Sequence, residues 1–356
     1  GYTGRLVCEF LREYQVPFIA AGRSQQRIEE VLAKVPGIET ADYEIVEVEH
    51  SVEALTKLLE GKTAVCNTVG PFDYYGDAVV QAACNAGCHY MDTTGEQAFM
   101  MEMRDKYSAQ YREKGLILAP SVAYMYTPLD IAAHRVLEDG SIDTIDAGCL
   151  AAGVPTYGST QTIFAMFQAE HLFLENNQLV PWQKGRGFEM NVPGKMMTQL
   201  AHPWGGGSLP LWLQYDHRVH TARQLTAFNN RPMFESIIGL QQHYENDLKD
   251  LPEAEQEAAL AKIAEGMQPG TPPRENKLVH RSTDFVHGIG TGTRRTCVIH
   301  TTAPYQLTGV VQAALAVYLL DCEPQKTGFV SGCQAAGHEY MLGAIEKFLP
   351  LQMDEY

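Results

Sequence analysis

The chain has 356 residues, 45% of them apolar and 20% charged, and carries a formal charge of −16. That length exceeds what one hydrophobic core usually supports, so two domains are expected, and the balance is that of a globular chain rather than a disordered one. The acidic excess, with no Lys/Arg cluster to offset it, argues against a nucleic-acid partner, which would need a concentrated basic face.

In chain order, residues 4–15 place Leu6, Val7, Phe10 and Leu11 on one helical face. Phe18 to Ala21 is a buried strand ending at Gly22, and Ser24 caps a second helix. Residues 44–49 alternate as a strand, and Ser51 caps a helix with Leu55, Leu58 and Leu59 inward. Strand, helix, strand, helix, strand follow over 63–69, 76–87, 88–92, 96–114 and 116–119. Strands alternating with helices in short steps predict an α/β, doubly wound parallel sheet of Rossmann type. Its strands are continuous apolar runs, as a sheet covered on both faces requires.

Beyond residue 130 the pattern changes. Residues 143–150, 211–221 and 296–302 read as longer strands, 160–175 and 251–265 as helices, and 266–276 as turn chemistry. Helices return at 305–320 and 332–349. The expected domains are therefore 1–130 for dinucleotide binding, 131–300 as an α+β substrate domain, and 301–356 as helices packing back on the first.

The eight cysteines (Cys8, Cys66, Cys84, Cys88, Cys149, Cys297, Cys322 and Cys333) form no C-x-x-C pair, and the histidines form no H-E-x-x-H. Free thiols in a reducing compartment and no bound metal are expected. Residues 147–169 and 296–320 lack charges, but Pro155 and Pro304 break them, so neither is read as a membrane span. A cytoplasmic protein, with a homodimer as its assembly, is the expectation.

Four places carry chemistry. Gly1-Tyr2-Thr3-Gly4 opens the first helix, where free amides and the helix dipole favour phosphate and glycine permits close approach. A complete dinucleotide fingerprint needs a strand and a further glycine upstream, so both are expected to precede Gly1 in the natural protein. At the end of the next strand, where an NAD-binding domain holds the ribose with an acid, Arg23 and Ser24 stand instead. A guanidinium there grips a 2′-phosphate and stacks on adenine, which predicts NADP(H). Thr68, Val69, Gly70 and Pro71 close the following strand on the crevice side, and Asp92 ends the one after, with Glu96 as a helix-start acid.

The segments Asn67 to Phe72, Tyr75-Gly76 and Tyr90 to Glu96 together resemble the saccharopine dehydrogenase-like oxidoreductases, which include trans-acting enoyl reductases and a lipid-droplet-associated animal relative. That family's fingerprint G-A-T-G-[YF]-T-G is matched in its second half by Gly1-Tyr2-Thr3-Gly4. The resemblance is specific over residues 1–135, looser in the C-terminal third, and marks the chain as beginning inside the fingerprint. The family's G-F-D-S-x-P-x-D stretch departs here: Thr127-Pro128-Leu129-Asp130 keeps P-x-D and Tyr124 keeps the aromatic, but Met125 replaces the acid and Tyr126 the serine. The resemblance puts that segment near the nicotinamide, so Tyr124 and Met125 are candidate substrate contacts.

These features predict an NADPH-dependent reductase of a largely apolar carbonyl, enone or enoyl compound. Its proton or hydrogen-bond donor is sought among tyrosines, with Tyr126 first and Tyr75 second. A short-chain dehydrogenase is disfavoured because no tyrosine has a lysine four residues on. Saccharopine- or opine-type amino-acid chemistry is the runner-up, with Arg186, Lys195, Arg218 and Arg223 available for carboxylates. A non-catalytic NADP-binding scaffold is the reading from another class.

Overall fold

Apolar runs and capped amphipathic helices alternate over the first 119 residues of the computed structural model, which describes residues 1–153, 156, 169–266 and 272–356. Helix α1 (Tyr2–Glu13) buries Leu6, Val7, Phe10 and Leu11 and leads to strand β1 (Phe18–Gly22). Ser24 accepts the Arg27 amide and starts α2 (Gln25–Leu32); β2 (Tyr43–Glu47) follows, and Ser51 caps α3 (Val52–Leu59) through the Ala54 amide. Then come β3 (Ala64–Asn67), α4 (Phe72–Ala86), β4 (His89–Asp92), α5 (Gln97–Glu113) and β5 (Ile117–Ala119). Helix α4 starts four residues earlier than the periodicity suggests, directly after Pro71, which stands in extended backbone as its N-cap.

Helix α6 (Thr127–Val136) precedes a strand-rich stretch: β6 (Ile142–Ala151), β7 (Leu172–Glu175), β8 (Gln178–Pro181), β9 (Phe188–Met190) and β10 (Gln199–His202). After α7 (Leu209–Leu213) come β11 (Thr221–Phe228), α8 (Arg231–His243), α9 (Glu253–Gly266), β12 (Arg281–Gly290) and β13 (Thr293–Thr302). The chain ends with α10 (Pro304–Asp321), β14 (Gly328–Phe329), α11 (Gly332–Ala336), α12 (His338–Phe348) and β15 (Gln352–Glu355).

Two compact units result. The first comprises Gly1–Thr94, Phe99–Ile131 and Tyr305–Leu349; the second comprises Gly95–Ala98, Ala132–Pro304 and Pro350–Tyr356. In the first, the parallel strands form two sheets: β1 pairs with β2, and β14-β5-β4-β3 lie in that order. Its core packs Val79, Val80, Phe99, Met103 and Tyr111 against Tyr90 and Leu118. Gly76 is required there, because a Cβ would lie 2.3 Å from the Phe99 ring. This is the expected Rossmann-type α/β architecture.

Among the described residues the second unit contains a nine-stranded mixed sheet in the order β15-β13-β12-β6-β11-β10-β9, with β7 and β8 attached through β11. One face buries Leu150, Met190, Val192, Ala201, Ala227, Phe285 and Val298.

Three sequence expectations change. Residues 211–221 are not one strand: Leu209, Leu211, Trp212 and Leu213 are all buried, and Pro210 opens a short helix, so apparent alternation hides an element covered on every side. The expected helix 160–175 falls mostly outside the described residues, and Leu172–Glu175 within it is a strand. The helix expected over 332–349 is broken at Gly337, whose φ of +91° no helix tolerates. Residues 267–271 of the expected 266–276 turn also lie outside the described residues. None of the eight cysteines forms a disulfide, and among the described residues no helix is long and apolar enough to cross a membrane.

Candidate functional site

The carboxyl ends of parallel strands are where open α/β sheets bind ligands, and most of the predicted site residues of the first unit lie there. Three strand ends are stitched together by one buried network. Asn67 ends β3; its Oδ1 accepts the Val69 amide at 3.1 Å, and its Nδ2 donates to the Tyr90 hydroxyl at 3.1 Å. Tyr90 in turn donates to Asp92 Oδ2 at 2.8 Å. The other carboxylate oxygen accepts the amides of Thr94 and Ser121, both at 2.9 Å. Ser121 Oγ donates back to the Thr94 carbonyl at 2.7 Å.

Asp92 has no exposed surface. Loss of hydration raises its pKa from the usual 3.8 to about 6, while the three donors pull the other way. Its carboxylate thus fastens the loops after β4 and β5 and is turned away from solvent, a different setting from the cofactor contact expected of it.

Helix α1 begins beside the end of β3: a Cβ on Gly4 would sit 2.9 Å from Thr68 Oγ1, so only glycine allows this approach. Gly1 opens onto free space, and Thr3 is half-buried. Tyr2 packs edge-on to Tyr305 with ring centroids 5.2 Å apart, and Arg5 lies over its ring at 4.8 Å. Val69 and Gly70 are exposed and Pro71 is half-buried. These residues fit a bound dinucleotide: the N-terminal turn of α1 for the pyrophosphate, flanked by an exposed strand-end loop.

Arg23 is exposed past β1, with its guanidinium carbon 5.9 Å from the centre of the Tyr75 ring. Ser24 is committed to its capping bond, at 3.4 Å from the Arg27 amide. Tyr75 therefore belongs with Arg23, in the first turn of α4. Beyond β5, Tyr124 and Met125 are half-buried, and Tyr126 is only 5% exposed. The Tyr124 amide donates to Thr308 Oγ1 at 3.1 Å.

The sequence marks the helix that is α10 (Pro304–Asp321) but not the role of its Gln312. Gln312 donates through Nε2 to the carbonyls of Asp92 (2.7 Å) and Val122 (2.8 Å), tying β4 and β5 together at the site edge. Nothing local in a largely apolar helix marks that role; its partners are about 200 residues away in sequence. In the second unit, three of the four basic residues considered for carboxylate recognition already have partners. Arg218 pairs with Asp216 (2.7 Å), Arg223 with Asp146 (3.2 Å) and Glu175 (3.0 Å), and Arg186 donates to Gln183 (3.1 Å).

Residues 1–118 match the saccharopine dehydrogenase NADP binding domain, and residues 127–354 match a family of unknown function (DUF5938). A saccharopine dehydrogenase-like oxidoreductase of Homo sapiens is 29% identical over 145 residues, 37% of this chain and 34% of the relative. A trans-acting enoyl reductase of Mycobacterium ulcerans is 31% identical over 148 residues, 40% of this chain and 35% of the relative. The matched region thus spans about a third of these relatives' own length. Saccharopine dehydrogenase (L-Glu forming) from Saccharomyces cerevisiae, in its apo form, superposes over 100% of this chain and 98% of its own with a TM-score of 0.63 at 11% identity, which shows a shared fold.

Proposed function

Because the chain belongs to the family of unknown function DUF5938 and its first 118 residues are a saccharopine dehydrogenase NADP binding domain, we propose that it is an NADPH-dependent oxidoreductase reducing a largely apolar carbonyl, enone or enoyl compound. The observation that carries this reading is the approach of Gly4 to Thr68, which sets the α1 N-terminus beside loops locked by the Asp92 network. When bound, the cofactor supplies the hydride. Amides of the first turn of α1 hold its pyrophosphate, Arg23 holds the 2′-phosphate, and the Val69–Pro71 loop borders it.

The segment after β5 supplies the acceptor side. Tyr124 and Met125 offer apolar surface, in keeping with the M. ulcerans relative named as an enoyl reductase. Tyr126 is the proposed hydrogen-bond donor to the oxygen that gains charge as hydride arrives. Tyr75, the second candidate, packs with Arg23, and the proposal leaves it out of the chemistry.

The test follows NADPH oxidation by the full-length protein against enones, enoyl thioesters, ketones and amino-acid imines. An apolar acceptor should be reduced, and Tyr126→Phe should lower kcat by on the order of 100-fold or more while NADPH affinity stays unchanged. NADPH binding without oxidation by any acceptor would instead identify a non-catalytic NADP-binding protein. Reduction of imines alone would move the assignment to amino-acid chemistry.

A further inference from the structure

We infer that Tyr75 and Glu47 together set the selectivity of this chain for a 2′-phosphorylated adenosine, with Tyr75 holding Arg23 in place and Glu47 competing for the phosphate position. The inference rests on the NADPH reading above and adds the residues that tune it.

Strands β1 and β2 run parallel with Gly22 opposite Glu47, so Arg23 and the Glu47 side chain emerge at one edge. Among the described residues Arg23 makes no ion pair; its recorded contact is the Tyr75 ring, within cation–π range. That ring is itself braced by His50, which stands edge-on at 5.5 Å with an interplanar angle of 89°. His50 Nε2 is buried and has no hydrogen-bond partner, so a polar group remains to be satisfied beside the stack. A long arginine loses much rotamer freedom when it grips a phosphate. A guanidinium already lying over an aromatic ring has given up part of that freedom beforehand, and its N–H edge stays available.

Glu47 works in the opposite sense. Its Oε2 accepts the amide of Gln25, the first residue of α2, at 2.9 Å. A free amide at a helix start is a natural donor to a phosphate, and here a carboxylate occupies it next to the residue that would bind that phosphate. A 2′-phosphate must displace Glu47 and approach its charge, whereas an unphosphorylated ribose need not. The same carboxylate is an acceptor for ribose hydroxyls. Attraction by Arg23 and competition by Glu47 therefore make the cofactor preference finite, a specificity built from one attractive and one repulsive element.

The experiment titrates the full chain with adenosine 2′,5′-bisphosphate and adenosine 5′-monophosphate by calorimetry and takes the ratio of their Kd values. The wild type should favour the bisphosphate. Tyr75→Ala should lower the ratio about fivefold, and Tyr75→Phe, which keeps the ring, should restore it. Glu47→Gln, which keeps the acceptor for Gln25 but removes the charge, should raise the ratio about three- to tenfold. Opposite signs at neighbouring residues are not the signature of general destabilisation, and exposed Glu47 gives an arm that survives if Tyr75→Ala folds poorly. Should Arg23→Ala abolish the preference while Tyr75→Ala and Glu47→Gln leave it unchanged, the NADPH reading stands and this inference falls. A wild type without preference for the bisphosphate overturns both.

Discussion

A carboxylate without exposed surface loses the water that favours its charge, and at Asp92 three N–H and O–H donors only partly offset that loss. The sign of the consequence is fixed. With a folded pKa of about 6 against 3.8, the native state holds a proton between about pH 4 and pH 6 that the unfolded chain has released. Stability from this group is therefore greatest at low pH, falls as pH rises through that window, and stays lower above it. About two pKa units correspond to roughly 3 kcal/mol. Asp92→Asn, neutral throughout, should lose less stability than the wild type between pH 4 and pH 6 when unfolding midpoints are compared. Parallel pH profiles would remove Asp92 as their source. The sequence marks Asp92 as the end of a strand by its position alone. It does not reveal that the carboxylate turns inward, because Tyr90 lies two residues before it and Ser121 reaches it only through pairing of β4 with β5.

Elements announced by their own residues were readable: Ser24 and Ser51 cap where a cap was expected, and the apolar runs 18–22 and 64–67 are strands. Elements defined by what covers them were not, as α7 illustrates. The crossing of α1 and α10 belongs to the second kind. A Cβ on Gly309 would lie 2.9 Å from the Leu6 carbonyl carbon and oxygen and equally close to the Phe10 ring. Backbone cannot step aside as a side chain can, so α10 must present a glycine at that point. Gly309→Ala should destabilise the protein by about 1–3 kcal/mol through overpacking, read as a lower unfolding midpoint. Because α1 carries the proposed pyrophosphate amides on its first turn, NADPH affinity should fall in the same variant. A midpoint and an affinity both equal to the wild type would mean that the crossing has slack.

At the scale of the molecule, the opening βα series was legible because each step is local, and the helices near the end were read as well, whereas the short strands among the last fifty residues were not. Residues Tyr305–Leu349 join the first unit and contribute β14 to its sheet, and Gln352–Glu355 then pairs with β13 in the second. Two- and four-residue strands carry no periodic signal; only their partners define them. One unit thus contains every residue assigned to the cofactor, and its hydrogen bonds already differ in what they leave open. The amides of Thr94, Ser121, Val122 and Tyr124 are bonded within the protein. On α1 the Arg5 amide, 3.1 Å from the Gly1 carbonyl, makes the first intrahelical bond, and the helix start before it is where a phosphate would dock. NADPH should therefore slow amide exchange chiefly at Thr3, Gly4, Arg23 and Gly70, with little change at 121–124, when followed residue by residue by NMR. Protection concentrated instead in the β6–β11–β12 sheet would move the cofactor to the second unit and remove the basis for the assignments at Arg23, Tyr75 and Glu47.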